Sequence, residues 1–424
     1  MQADRPMQAD QRPDDAGGTG GTTARTEQAA QCPVAPDRAA RGAECPVDFD
    51  FFAAPQQYRD AAAEHAGDHG AFYSDRGFWV LTTFDGISAA FKDEGTFTVG
   101  RVSAAEGAEE ERWIPLTVEG REHTAWRQRL GAWFTPQRVR ELTPGIRENA
   151  RRRIEGFLEK GEVSFNEDFA RPYVLENLMT AVGWPPDGFD LLLAINRAMI
   201  DSRSAPDPRA AAYGELGLPA LERFARELIA RRRAEPADDL ATASFGWEID
   251  GAPVGDDDRA SLLCTLFLAG IDSTVNHMAN AVQHLAHHPE DRGRFMSRPE
   301  VRPPAVEEFL RVNSCMYPGR MAVTAGAGGV ADRGDTVLLP LALANHDPEV
   351  FPEPARIDFD RERNPHIAFG TGPHQCLGAA FARAQILVAL EEWHALVPHY
   401  DVPPEQRTAE PPFLRNSYDL RLIW

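Results

Sequence analysis

The run Phe369-Gly370-Thr371-Gly372-Pro373-His374-Gln375-Cys376-Leu377-Gly378 gathers residue types suited to a planar metal cofactor. Its glycines let the backbone turn tightly and approach a flat ligand. Cys376 stands just ahead of a helical stretch beginning near Ala379, so its sulfur faces free backbone N–H groups and the positive end of a helix dipole. Both favour thiolate over thiol. A thiolate held this way is an axial ligand for haem iron and donates electron density that promotes O–O cleavage. Two other readings stay open on these residues alone. One is a buried structural cysteine. The other is a zinc site of His366, His374 and Cys376, which lacks a fourth thiolate or an HxxH pair.

A second group is Ala269-Gly270-Ile271-Asp272-Ser273-Thr274. It lies inside the longest helical signal, residues 256–287, which contains no proline and opens on three aspartates that suit a helix start. A helix of about 30 residues spans ~45 Å, enough to cross a whole domain. Its middle is apolar nearly all round and therefore buried, so polar residues there need partners or a task. Small residues at 269 and 270 leave space beside the backbone. An acid next to an alcohol, Asp272 and Ser273, can relay protons. The plainer reading is that Ser273 and Thr274 bond back to carbonyls one turn earlier. A third pair, Glu308 and Arg311, is spaced i and i+3 on a helix and can ion-pair.

The ten-residue run resembles the cysteine-ligand loop of the cytochrome P450 family at every family position: Phe369, Gly370, Gly372, His374, Cys376 and Gly378. The resemblance extends over residues 45–424. It implies a mainly α fold with minor β structure, one haem domain crossed by a long central helix, haem b as cofactor, and a monooxygenase that uses dioxygen. Glu308 and Arg311 resemble the family's ExxR pair, and Arg356 resembles the third member of that structural lock. His123 and Arg127, four apart on one helix face, match positions that contact the haem propionates, as do Arg320 and His374. The family usually has Thr where this chain has Ser273. Serine keeps the hydroxyl but rotates more freely, while Thr274 lies about 100° further round the helix.

The likeness is nearest to soluble bacterial members such as the camphor-hydroxylating branch. Trp113 precedes Ile114-Pro115 and Glu111 falls near that branch's substrate-binding Tyr, so camphor itself is not implied. By position, Phe97, Trp113, Leu268, Ala269, Met316, Tyr317, Phe413 and Leu414 are candidates for an apolar, aromatic pocket around a small organic substrate. A solvated acidic loop accounts for Glu106, Glu109, Glu110 and Glu111. The resemblance also implies electrons from a ferredoxin and a ferredoxin reductase, and Arg129, Arg138 and Arg140 can form the basic patch that an acidic ferredoxin needs. Two alternatives remain: a peroxide-using haem-thiolate enzyme, disfavoured by Asp272-Ser273 where that branch has Arg-Pro, and a haem-based sensor or carrier without turnover.

The elements must carry these residues within 424 residues that are 43% hydrophobic and 26% charged, ordinary values for a globular core. The formal charge of −21 argues against nucleic acid and anionic membrane as partners. The start has no apolar stretch of a signal peptide, and no apolar run is long enough to span a bilayer, so a cytoplasmic location is expected. Five widely spaced cysteines suggest no disulfide framework. Residues 1–44, with MQAD at both Met1 and Met7, are expected to be disordered, and Met7 is a possible start codon. The patterns predict a strand over 77–84 and helices over 85–93, 121–134, 136–142, 144–160, 176–182, 189–201, 213–234, 304–312 and 379–395. They predict short strands at 321–324 and 335–341, a meander over 345–365, and a closing turn and strand over 413–424.

Overall fold

The computed structural model describes residues 64–66, 70–74, 77–99, 112–202, 211–406 and 420–424. The tail 1–44, the acidic residues Glu106, Glu109, Glu110 and Glu111, and the pocket candidates Phe413 and Leu414 lie outside them. The principal helices are α1 (Phe84–Lys92), α2 (Gly120–Gly131), α3 (Pro136–Glu155), α4 (Arg171–Val182), α5 (Phe189–Ser202), α6 (Leu218–Ala234), α7 (Asp256–Gly270), α8 (Asp272–His287), α9 (Pro289–Ser297), α10 (Arg302–Val312) and α11 (Ala379–Leu396). One five-stranded sheet joins β1 (Ala71–Tyr73), β2 (Phe78–Leu81), β8 (Thr336–Leu338), β7 (Gly319–Ala322) and β3 (Phe97–Thr98) in that order. Only the β2–β8 pairing is parallel. Two-stranded ribbons pair β4 (Glu162–Ser164) with β9 (Arg421–Ile423) and β5 (Glu248–Ile249) with β6 (Ala252–Pro253). The architecture is mainly α with minor β, as expected.

Local chemistry explains the helix starts. Thr83 caps α1 by accepting the Gly86 N–H at 3.2 Å. Thr135 caps α3 by accepting from Arg138 at 3.1 Å, with Pro136 at the first helical position, where its missing N–H costs nothing. Contrary to the expected break, α3 runs through Pro144. Proline removes one backbone hydrogen bond there, and tertiary contacts hold the helix beyond it. Asn149 donates to the Tyr173 carbonyl at 3.1 Å, and Arg147 pairs with Glu391 and Glu392 of α11.

The long central signal is also interrupted, though no proline marks the place. At Ile271 the backbone has φ −103° and ψ −69°, dividing the 256–287 stretch into α7 and α8. Against the expectation that no apolar run could span a bilayer, this stretch alone among the described residues is long and apolar enough to do so, but it is mostly buried in the protein core.

Below it, Glu308 and Arg311 of α10 form a buried, bidentate pair, Nε to Oε1 at 2.8 Å and Nη2 to Oε2 at 2.9 Å. Arg311 also donates to the carbonyls of Asn345 at 3.0 Å, Pro354 at 2.6 Å and Arg356 at 2.9 Å. Glu308 accepts from the Asp358 N–H at 2.9 Å, the Arg361 Nε at 2.9 Å and Asn364 Nδ2 at 3.0 Å. The expected third member, Arg356, is therefore corrected to Arg361. Arg356 contributes only its carbonyl, while its guanidinium stands at the surface against Glu353 at 3.0 Å. The irregular meander bends back after Arg356, and this bend brings Arg361 to the carboxylate.

Removing the Arg361 guanidinium should lose a charge-assisted bond worth about 1.5–3 kcal/mol. Arg356→Ala, whose guanidinium stands at the surface, should unfold at the parent's urea midpoint. Urea unfolding of the two variants, Arg361→Ala and Arg356→Ala, separates these outcomes.

Candidate active site

The cysteine loop is fixed before its sulfur is reached. Asn345 Oδ1 accepts the Ile367 N–H at 2.8 Å. The Gly370 N–H donates to Ile367 O at 2.8 Å, and the Cys376 N–H to Phe369 O at 2.8 Å. Gly372 has φ +74°, and a Cβ there would lie 2.5 Å from the Phe91 carbonyl, so both backbone and space exclude a side chain. Cys376 lies two residues before the helix cap Gly378. Its side chain is exposed at the tip, yet protein packs closely around it. Burial therefore pushes the thiol up, against the Gly378 N–H and the charges of Arg127 and Arg383, which favour thiolate.

Beside the loop lies a cationic corner. His123 and Arg127 come from α2, Arg320 from β7, and His374 from the cysteine loop. The imidazoles of His123 and His374 stack with centroids 3.9 Å apart. Neither Arg127 nor Arg320 forms an ion pair among the described residues. Arg320 donates only to the neighbouring Gly319 carbonyl, at 2.9 Å, and lies over the Phe91 ring at 5.2 Å. Burial brings Arg320 down to about 10. Burial, then the charges of His123, Arg320 and Arg127, brings His374 down to about 3. Burial and Arg127 likewise lower His123. Glu94 Oε1 lies 3.4 Å from His374 Nε2, but both atoms are buried and make no hydrogen bond.

The acid–alcohol pair forms the first two residues of α8. Asp272 is buried and paired with Arg171 at 3.2 Å, and it accepts from Asn196 Nδ2 at 3.2 Å. Arg171 donates to Asn196 Oδ1 at 2.6 Å and to Glu167 at 3.0 Å, and Glu167 meets the surface residue Arg197 at 2.9 Å. The Ser273 hydroxyl donates to Ala269 O at 3.1 Å, back across the Ile271 break. A Cβ at residue 270 would lie 3.2 Å from Leu178 Cδ2. Gly270 thus allows close approach of α4, which corrects the expectation of open space at that position. Thr274 is buried.

A family model described as Cytochrome P450 matches residues 327–422. Mycinamicin IV hydroxylase/epoxidase of Micromonospora griseorubida is 30% identical over 368 residues, covering 82% of this chain and 89% of that protein. The chain belongs to the cytochrome P450 family. The solved structure of the bottromycin biosynthetic protein SalCYP is 68% identical with TM-score 0.82, covering 89% of this chain and 95% of that one. That of Cytochrome P450 CYP101C1 is 27% identical with TM-score 0.78, covering 91% and 98%. This cytochrome P450 is a monooxygenase whose cofactor is haem b, bound in the family through a cysteine thiolate. Its reaction involves dioxygen, an organic substrate and redox partner proteins.

The residues present fit that cofactor. Two guanidiniums that form no ion pair among the described residues supply the charge, and with two imidazoles the hydrogen bonds, that two propionates need. A Cβ at Gly378 would meet no protein atom, which leaves that side of the loop open to a planar group. The zinc alternative does not assemble. His366 Nε2 is committed to Glu307 at 3.0 Å and its Nδ1 accepts from Ala368 at 3.2 Å. Of the pocket candidates, Ala269 and Met316 are exposed, while Trp113, Leu268 and Tyr317 are half-buried. Phe97 is corrected from pocket to core, because it pairs with Ala322 in the sheet and is buried in the cluster beneath it.

Arg361, Arg171, Asn196 and Glu94 escaped the sequence reading, since none stands at a fixed spacing from the motif it serves. The buried network makes a separate prediction. Arg171→Ala strips a buried carboxylate of its guanidinium and should cost about 3–5 kcal/mol, read by urea unfolding. A cost under about 1 kcal/mol would show that Asp272 does not depend on this partner.

Proposed function

We propose that this P450 oxidises a small, largely apolar organic substrate with dioxygen and electrons from a ferredoxin, and that Cys376 would supply the thiolate that holds the haem. The observation that carries the reading is a helix-start thiol acted on by Arg127, which at this corner, like Arg320, forms no ion pair among the described residues. When bound, haem supplies the activation of dioxygen. His123, Arg127, Arg320 and His374 hold the propionates, and Phe369, Gly370 and Gly378 shape the loop against the ring. Glu308, Arg311 and Arg361 keep the protein beneath it rigid. Trp113, Leu268, Ala269, Met316 and Tyr317 face the substrate.

Asp272 and Ser273 move protons to reacting oxygen. In the resting arrangement Asp272 is held by Arg171 and Asn196, and the Ser273 hydroxyl is spent on Ala269 O. Delivery requires that hydroxyl to rotate away from the carbonyl, which a serine does more readily than a threonine. Thr274, buried one residue on, shapes the same stretch of helix. The 68% identity to SalCYP supports a place in bottromycin biosynthesis. A ferredoxin would meet the face carrying the exposed Arg129 and Arg140, with Arg138 half-buried beside Glu141 at 3.6 Å. The acidic charge suits a cytoplasmic protein, and residues 45–424 form the haem domain.

Two measurements test this reading. The reduced carbon monoxide complex of the parent should absorb at the family's long-wavelength position, and Cys376→Ser should abolish that band. A retained band would remove Cys376 from its role. Asp272→Asn should bind substrate normally and turn over ~10²–10⁴-fold more slowly. Ser273→Ala should divert reducing equivalents to hydrogen peroxide, assayed as product per reductant with a ferredoxin system and, separately, with peroxide alone. If Ser273→Ala couples as well as the parent, its hydroxyl is not the donor. Turnover by peroxide alone would favour the peroxide-using alternative, and no turnover in either system a sensor or carrier.

A further inference from the structure

The far side of the cysteine loop carries a second charged group that the assigned machinery does not use. Arg383 of α11 places its guanidinium 4.5 Å from the centroid of the Phe369 ring. The same guanidinium forks onto Glu307 of α10, Nε to Oε1 at 2.7 Å and Nη2 to Oε2 at 2.8 Å. Glu307 in turn meets His366 Nε2 at 3.0 Å, and the His366 side chain is almost fully buried. The tautomer follows from the other ring nitrogen. His366 Nδ1 accepts the Ala368 N–H, so Nε2 carries the proton and donates to Glu307. The Phe369 carbonyl accepts the Cys376 N–H at 2.8 Å, so the residue under Arg383 also positions the sulfur.

We propose that Arg383, Glu307 and His366 form a charge clamp that sets the reduction potential of the cysteine-ligated iron and holds Phe369 in place. This rests on the reading of Cys376 as the axial ligand. The positive charge of Arg383 acts on the Cys376 sulfur. A cation beside the thiolate disfavours the more positive ferric state relative to the ferrous one, and so raises the potential for the one-electron reduction by the redox partner. Glu307, held ionised by its two partners, works in the opposite direction. The two charges are on different helices, so the balance depends on how the clamp holds them. Partial exposure of Arg383 and Glu307 weakens each effect by solvent screening but leaves the signs unchanged.

The signs make the test. In haem-loaded protein, spectroelectrochemical titration should find the potential of Arg383→Gln shifted negative and that of Glu307→Gln shifted positive. The double variant should fall between them. Arg383→Lys keeps the charge without the fork and should lie nearer the parent than Arg383→Gln. A role limited to holding α10 and α11 together would move both single variants in one direction. Same-sign shifts, or none, in protein whose parent shows the long-wavelength carbon monoxide band overturn this inference alone. Absence of that band in the parent overturns the ligand reading and this inference with it. If Arg383→Gln does not retain haem, the pair Arg383→Lys and Glu307→Gln decides by the same rule, since only Glu307→Gln should then shift clearly positive.

Discussion

The buried pair of Glu308 and Arg311 constrains everything around it. Two charges removed from water carry a desolvation penalty of several kcal/mol each unless every lone pair and proton finds a partner. Here the pair is bidentate, and the remaining capacity is taken up by three carbonyls, one backbone N–H, Arg361 and Asn364. Those partners come from residues 345–364, a stretch with little regular structure of its own. The meander holds its path because leaving it would strand a buried charge. Asn345, whose carbonyl accepts from Arg311, uses its side chain to accept from Ile367 at the entrance to the cysteine loop. The ion pair is thereby tied through one residue to the start of the cysteine loop.

The two faces of the site obey different electrostatics. On the cysteine side, two guanidiniums, Arg127 and Arg320, gather with no ion pair among the described residues, beside two stacked imidazoles that burial keeps neutral. Such a cluster is unfavourable unless an anion joins it, and the dianionic edge of haem b is of the right chemistry. On the acid side, the charges are already neutralised within the protein, Asp272 by Arg171 and Glu167 by Arg171 and Arg197. One face is built to receive charge and the other to hold an acid in reserve. The Ile271 break lies between α7 and α8 beside that acid, where a regular helix would leave Ser273 and Ala269 in an unbroken ladder.

Much of the chemistry was legible because it is local. The thiol, its glycines and the helix that follows lie within about a dozen residues, and the acid–alcohol pair is contiguous. Glu308 and Arg311 share a helix turn, so their pairing follows from the helical repeat alone. Fold class was legible for a similar reason, since the long proline-free stretch and the repeated caps are short-range signals. Residues far apart in sequence also reached one site when a family spacing linked them, as with His123, Arg127, Arg320 and His374.

The tertiary structure decided whatever depends on irregular backbone or on partners from other elements. Arg361 replaced Arg356 because the bend of the meander, which no periodicity encodes, chooses the side chain that reaches Glu308. Helix α3 continues through Pro144 because its hold on α11 and α4 outweighs the hydrogen bond that proline removes. Phe97 went to the sheet and Gly270 to a contact with Leu178, since burial and close approach are properties of the packed molecule. The Cys376 thiol is pushed up rather than down because burial outweighs the Gly378 N–H and the charges of Arg127 and Arg383. The sequence by itself determined which groups could do chemistry and their order along short segments; packing alone decided which distant charges meet them, because charges interact through space and not along the chain.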